Sequence, residues 1–351
     1  MVRMTSACGI GCGRMACRPF CGGCPGGCAV LGVCRRPGFC TNPCADPCGA
    51  SARAWAEVAG MGLGMPTAGL ACPRMKLPAY MPTMIDNRRV GTAACEDWRG
   101  VPIVAIKAKD LLSGRPGHRR VKSPQEARER FGVPEGVRLA AHFYDRDHRL
   151  EEVWTRRAAM LPALRGYDLV FAPNFSVYED APRLSHLLAM RRNVWVLDAL
   201  LDLGVPCVPD VAWGGRRDLE RWAAWLGARD VGLAAYSFLG VGMGVRSGRA
   251  PLVNLVGLQW LAAAVPATRW VVVGPAAASS VANASAAAGG EVVCVLNSEA
   301  RLKAAHGRLW DGGRWRRVPG PERSNAFRRA LFLENVRRLA GAYSASLGLA
   351  G

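Results

Sequence analysis

From residue 81 onward one pattern recurs: a strand-length apolar run, a polar or glycine-containing break, then a helix-like stretch. The runs are MPTMI (81–85), VPIVAIKA (101–108), VRLAAHFY (137–144), YDLVFAP (167–173), VPCVPDVAW (205–213), VGLAAYSF (231–238), RWVVVGP (269–275) and EVVCVLN (291–297). Most are apolar at successive positions, so both faces of each strand must be covered. Strands of that kind alternating with amphipathic helices specify a parallel sheet coated by helices. The intervening segments fit. SPQE opens a helix at Ser123, with Pro124 at its first position and Glu126 at its third, a capping box. RLSHLLAMRRNVWVLDALLDLG, RRDLERWAAWLGAR, PLVNLVGLQWLAAAV and SEARLKAAHGRLW continue the series. Eight such units match the length of a (β/α)8 TIM-like barrel, which is typically about 250 residues. The alternative is an open doubly wound parallel sheet, because MPTMI is short and DNRRVGTAACEDWRG after it makes a poor helix.

The chain ahead of this domain is a different material. Of 14 cysteines, ten fall between Cys8 and Cys48, separated by Gly, Pro and Arg, and such a segment cannot bury a core. The organisation expected is a cysteine-rich module over 1–50, a linker over 51–78 and the barrel-like domain over 79–310. A basic loop, DGGRWRRVPGPE, and a final helix from near Arg323 packed outside the barrel fill 311–351. The first fifteen residues lack the apolar stretch of a secretory signal, which points to the cytoplasm, where dense cysteines argue for metal over disulfides. Thiolates alone suit tetrahedral zinc or an iron–sulfur cluster, with Cys8, Cys12, Cys17, Cys21, Cys24, Cys28, Cys34, Cys40, Cys44 and Cys48 as candidate ligands. The competing reading is a tail of odd composition with no metal. Within the cluster, CRPFCGGC places Cys17, Cys21 and Cys24 at the C-x3-C-x2-C spacing that resembles the cluster motif of radical S-adenosylmethionine enzymes. Three cysteines would leave one iron open, and Gly23 stands where that family usually has an aromatic residue.

Charge bears on partners. With 46 Lys and Arg against 27 Asp and Glu the net charge is +19, which attracts phosphate polyanions and points to a nucleic acid or nucleotide partner. Part of the arginine excess fits a GC-rich coding sequence, since only Lys76, Lys107, Lys109, Lys122 and Lys303 are lysines. No apolar run reaches the roughly 18 residues that span a bilayer, so no membrane partner is expected.

In a barrel, function sits just past the carboxyl ends of the strands. Asp210 is the sharpest candidate there: a carboxylate inside VPCVPDVAW needs either a partner or a chemical role. It is read as acid/base or nucleophile, with capping of the loop before Arg216 and Arg217 as the structural alternative. Lys107 would hold negative charge or pair with Asp145 or Asp210, and Asn174, Ser176 and Tyr178 would orient a substrate. His142 reads as a satisfied core residue and His306 as a helix-end residue. Gly240, Gly242 and Gly244 could bring backbone amides to a phosphate or carboxylate of a cofactor, although their spacing is not a dinucleotide fingerprint and a plain loop is the alternative.

The segment from Pro173 to Tyr178, PNFSVY, the basic pair Arg191 and Arg192, and the strand from Gly204 to Trp213, GVPCVPDVAW, resemble the family called domain of unknown function 4417, found in bacteria, phages and mobile elements. Some relatives carry an amino-terminal cysteine run similar to Cys17 to Pro25. Many have Asp where this chain has Asn174, which argues against a carboxylate role there. The resemblance implies a fold and a place to look, and no reaction. The functions expected are thus a metal-binding barrel enzyme acting on a nucleotide or nucleic acid; a non-enzymatic nucleic-acid-binding protein of phage or mobile-element type, using arginine pairs such as Arg216 and Arg217; or a radical iron–sulfur enzyme.

Overall fold

The computed structural model describes residues 65–66, 75–84, 97–112, 121–177, 183–239, 250–319 and 324–349. All eight apolar runs form strands: β1 (Tyr80–Met84), β2 (Ile103–Lys107), β3 (Arg138–His142), β4 (Leu169–Phe171), β5 (Cys207–Val208), β6 (Leu233–Ser237), β7 (Arg269–Val273) and β8 (Val292–Asn297). They are parallel and ordered β5-β4-β3-β2-β1-β8-β7-β6. The first strand therefore sits in the middle of the order, paired with both the second and the last. The ends of the order also meet. Asp210 and Ala235 form a parallel bridge, in which the Val211 amide donates to the Ala235 carbonyl at 3.0 Å and the Ala235 amide to the Pro209 carbonyl at 2.8 Å. That contact joins β5 to β6 and closes the sheet, so the fold is a (β/α)8 TIM-like barrel and the open doubly wound sheet is set aside.

Alternation along each strand explains why both faces are apolar. On β2, Ile103 and Ala105 enter an interior cluster with Met81, Phe171, Val208 and Leu296, while Val104 and Ile106 face the helices. The helical coat comprises α1 (Ala108–Leu112), α2 (Pro124–Phe131), α3 (Asp147–Thr155), α4 (Arg157–Met160), α5 (Arg183–Asp202), α6 (Arg216–Ala228), α7 (Ala250–Ala264), α8 (Ala278–Ala287) and α9 (Glu299–Ala305). The capping box of α2 is only half reciprocal. Ser123 Oγ accepts from the Glu126 amide at 3.2 Å, but Glu126 Oε2 reaches past Ser123 to the Lys122 amide at 2.9 Å.

Past α9 the structure departs from the reading of a loop. Arg308–Trp310 (β9) and Trp315–Arg317 (β10) form an antiparallel hairpin, with Trp310 opposite Trp315 and Arg308 opposite Arg317. The final helix α10 (Asn325–Leu347), capped by Ser324, packs outside the barrel against α8, α9 and β1. Its Tyr343 meets Tyr80 of β1 edge to face at 5.2 Å, and Arg337 pairs with Asp97 at 3.0 Å ahead of β2. The amino-terminal cysteines, Tyr178 and the glycines Gly240, Gly242 and Gly244 lie outside the described residues.

Candidate active site at the carboxyl ends of the strands

Strand alternation carries polar side chains into the barrel mouth on the same inward face as the apolar interior. Lys107 and His142 are register partners on β2 and β3, and Thr83 lies inward on β1. Asp210 and Tyr144 form a buried pair. The tyrosine continues the inward face of β3, packs against Phe171 at 6.2 Å, and donates its hydroxyl to Asp210 Oδ1 at 3.0 Å. Asp210 is 1% exposed, and its Oδ2 has no hydrogen-bond partner among the described residues. Burial pushes its pKa up to about 8, with the Tyr144 hydrogen bond acting in the opposite direction. Burial and the adjoining carboxyl likewise push Tyr144 well above the ordinary phenol range. Both groups are therefore neutral at neutral pH.

His142 is also neutral, for a different reason. Its Nδ1 accepts from the Tyr144 amide at 3.2 Å, which leaves the proton on Nε2, 3.2 Å from Thr83 Oγ1. Burial, then the Lys107 charge, hold its pKa down to about 3. The histidine is a satisfied interior group, as the sequence suggested.

Charge is confined to the rim. Asp145, one residue past Tyr144, lies between Lys109 Nζ at 3.0 Å and Lys107 Nζ at 3.9 Å. Lys107 therefore pairs with Asp145 and not with Asp210. Burial lowers its pKa, an effect the Asp145 charge partly offsets. Burial works to raise the Asp145 pKa, but the Arg146 amide and the two lysines outweigh it and the net shift is downward.

Other polar groups past the strand ends are held by their own contacts. Ser176 Oγ donates to Asp147 Oδ1 at 2.8 Å, which ties the loop after β4 to the start of α3. Asn174 is half-buried in the same loop, held from the next residue by Asn193, whose Oδ1 accepts from the Phe175 amide at 2.6 Å. In the loop ahead of Arg216, Asp218 Oδ2 accepts from the Gly214 amide at 3.0 Å. Asn297, at the end of β8, is a brace: it accepts from the Tyr80 hydroxyl at 3.0 Å and donates to the Pro275 carbonyl at 2.6 Å and the Tyr343 hydroxyl at 3.0 Å. Tyr144 and Thr83 were not singled out by sequence reasoning. The signal available for Tyr144 was its period-two spacing from His142.

The described arginine pairs do not share a face. Arg191 and Arg192 lie on α5 and Arg216 and Arg217 on α6, beside β5 and β6, whereas Arg316 and Arg317 lie on the hairpin beyond β8. Arg192, Arg216 and Arg316 are held by Glu151, Glu220 and Asp311. Among the described residues no group of three or more His, Cys, Asp and Glu side chains could hold a metal, and Cys207 and Cys294 are buried. No helix is long and apolar enough to cross a membrane, among those same residues.

The family resemblance is borne out. Residues 115–252 match the family model described as Domain of unknown function (DUF4417), a stretch that contains Asn174, Ser176 and Asp210 and excludes Lys107. Over 74 residues the chain is 28% identical to the Gene 1 protein of Mycobacterium phage D29, a match covering 21% of this chain and 27% of that protein. Among solved structures it is similar to a 4-hydroxy-2-oxoglutarate aldolase from TTHB1, at TM-score 0.31 and 15% identity over 73% of this chain and 94% of that one. It is also similar to the carboxyl transferase domain of Rhizobium etli pyruvate carboxylase with pyruvate, at TM-score 0.37 and 16% identity over 78% of this chain and 49% of that one.

Proposed function

We propose that this chain is an enzyme acting on a nucleotide or nucleic acid substrate, with Asp210 as the general acid of the barrel mouth. The reading is carried by the unpartnered oxygen of that carboxyl group. Tyr144 donates to Oδ1, so the proton of the neutral acid resides on Oδ2, the oxygen with no partner among the described residues. An acid protonated at neutral pH can donate to a leaving oxygen and take the proton back from water afterwards. A buried carboxyl with one oxygen unsatisfied costs stability, and chemistry is a common reason for such a group to be retained. Lys107 and Lys109 flank Asp145 at the rim, where their ammonium groups could also meet a phosphate oxygen. Asn174 and Tyr178 would orient the substrate. Ser176, already donating to Asp147, can contribute only as an acceptor.

The amino-terminal cysteines would hold zinc or an iron–sulfur cluster in a module that is structural or binds the substrate, and the protein would work in the cytoplasm. Support for the metal is the ligand spacing in the sequence. The dispersal of the arginine pairs over opposite flanks of the barrel favours the enzyme over a non-enzymatic nucleic-acid-binding role.

The test is turnover. The full chain, purified anaerobically, is incubated with nucleoside phosphates and with oligonucleotides, and products are separated chromatographically. Asp210→Asn should abolish whatever conversion is found while the protein stays folded; conversion that survives the substitution refutes the assignment. Elemental analysis with visible absorption should find near-stoichiometric zinc, or iron with sulfide, and a folded metal-free chain ends the metal reading.

A further inference from the structure

Charge is spread unevenly over the helical coat. Charged residues make up 21% of the chain, yet from residue 250 to 290 the sequence holds a single one, Arg269. That stretch forms α7, β7 and α8, with Arg269 at the start of β7, so neither helix carries an ionic group. Helix α7 is also apolar on opposite sides. Its inner side buries Leu258 and Leu261, and the fit there is close. The Tyr236 hydroxyl donates to the Asn254 carbonyl at 2.9 Å, and Gly257 lies against Trp213 and Tyr236 with no room for a Cβ. The helix therefore cannot roll to hide its outer side, where Leu252 and Val256, one turn apart, are 64% and 62% exposed and Val253 is 50% exposed. Beside α7, the outward positions of α8 are the small residues Ser279, Asn283 and Ala286.

A helix that is hydrophobic all round is normally covered all round, and the cores of protein interfaces are depleted of charge. We propose that the outer face of α7 and α8 is covered by the same face of a second copy of this chain, in a two-fold dimer. Charge selects that occupant. Two copies at +19 repel wherever their charged surfaces approach, and the repulsion is least where the facing helices carry no ionic group. A strongly charged partner would find nothing on α7 or α8 to pair with. A lipid surface is recognised by lysine and arginine beside an apolar stripe, and these two helices contain neither. The face also complements itself in shape. A two-fold axis brings the bulky side chains of α7 in one copy onto the small ones of α8 in the other, and the reverse contact follows by symmetry. This surface lies on the flank of the barrel and does not rest on the enzymatic reading.

The measurement is sedimentation equilibrium of the full chain over a hundredfold range of protein concentration. The wild type should reach twice the mass of one chain, with a thermal midpoint that rises with concentration. Potassium chloride should tighten the dimer, because salt screens the repulsion between like-charged copies, whereas an interface held by ion pairs would loosen. Val256→Asp puts a carboxylate into both halves of the interface and should leave a monomer at every concentration. Leu252→Asp should do the same and serves if the first variant fails to fold. Leu302→Asp, at an exposed apolar position on α9, should leave the dimer intact. A dimer that survives both α7 substitutions, or that dissociates as salt is added, overturns the proposal. A monomeric wild type overturns it too. In that case a thermal midpoint lowered by Val256→Asp shows the face covered by another segment of the same chain, and binding to neutral phospholipid vesicles shows it covered by lipid.

Discussion

Replacing Asp210 by Asn should make the protein's stability less sensitive to pH, in a direction set by the buried carboxyl. In the unfolded chain the group titrates near its ordinary value of 3.8, and in the fold at about 8. Between those values the native state holds a proton that the unfolded state has released, so stability falls as pH rises. The contribution is present in full below about pH 4 and is lost as pH passes through 8. Each unit of difference is worth about 1.4 kcal/mol, so from pH 4 to pH 7 the wild type should lose on the order of 4 kcal/mol relative to a variant that cannot ionise. Asparagine is close in shape to the neutral acid and can keep its oxygen on the Tyr144 hydroxyl. Its two amide hydrogens lack partners where Oδ2 now sits, which subtracts roughly 1–3 kcal/mol from the variant at every pH. Urea unfolding of both proteins at pH 5, 6, 7 and 8 gives the comparison. The difference should swing towards the variant with rising pH, and Asp210→Asn should be the more stable protein near pH 8. A difference that is flat across this range refutes the buried neutral acid.

Three further outcomes follow from neighbouring contacts. His142, held neutral down to about pH 3, contributes stability that is present above its ordinary value of 6.5 and lost as pH falls towards 3, so its ring protons should show no titration by NMR between pH 8 and pH 5. Gly257→Ala should lower the thermal midpoint although alanine favours helices by about 1 kcal/mol. The added methyl would lie 2.5 Å from the Trp213 ring and 2.7 Å from the Tyr236 hydroxyl, an overpacking that costs roughly 1–3 kcal/mol or more, and an unchanged or higher midpoint would contradict it. Asn297→Ala removes the brace between β1, β8 and α10 and should cost roughly 3 kcal/mol, with limited proteolysis releasing α10 sooner than in the wild type.

The fold was largely legible because burial on both faces leaves a period-free apolar run that survives in the sequence, as in IVAIK and WVVV. Closure was not. It depends on β1 meeting β8 and on a single bridge at Asp210, contacts between positions far apart in the chain that no local pattern encodes. The hairpin of Arg308 to Arg317 was legible in principle, since Asp-Gly between two Trp-bearing runs is a turn signal, but the surrounding arginines made the segment look like a solvated loop. Asp210 stood out as a charge in an apolar strand. Its partner did not, because Tyr144 lies 66 positions earlier in the chain and only the curvature of the barrel brings the two hydroxyl-bearing groups together. Asn297 also ends a strand, at the carboxyl end of β8. A strand-end position predicts location, whereas the use of the side chain is decided by what packs outside the barrel, here Tyr80 and Tyr343.

The two interior titratable groups also explain why the rim carries the charge. At neutral pH Asp210 and His142 are both uncharged, so the inner mouth presents only dipoles to the apolar layer beneath it, while Lys107, Lys109 and Asp145 keep their charges where water still reaches. Exchanging those places would bury an ion without its partners. The arrangement has a thermodynamic signature. Between about pH 4 and 6.5 the unfolded chain gains protons at His142 and lacks one at Asp210, so the two contributions to the pH slope have opposite signs and nearly cancel. Above 6.5 only the carboxyl remains, and stability should decline towards pH 8. A wild-type curve that is flat on the acid side and falls on the basic side is therefore compatible with two large hidden contributions, which Asp210→Asn separates by removing one of them.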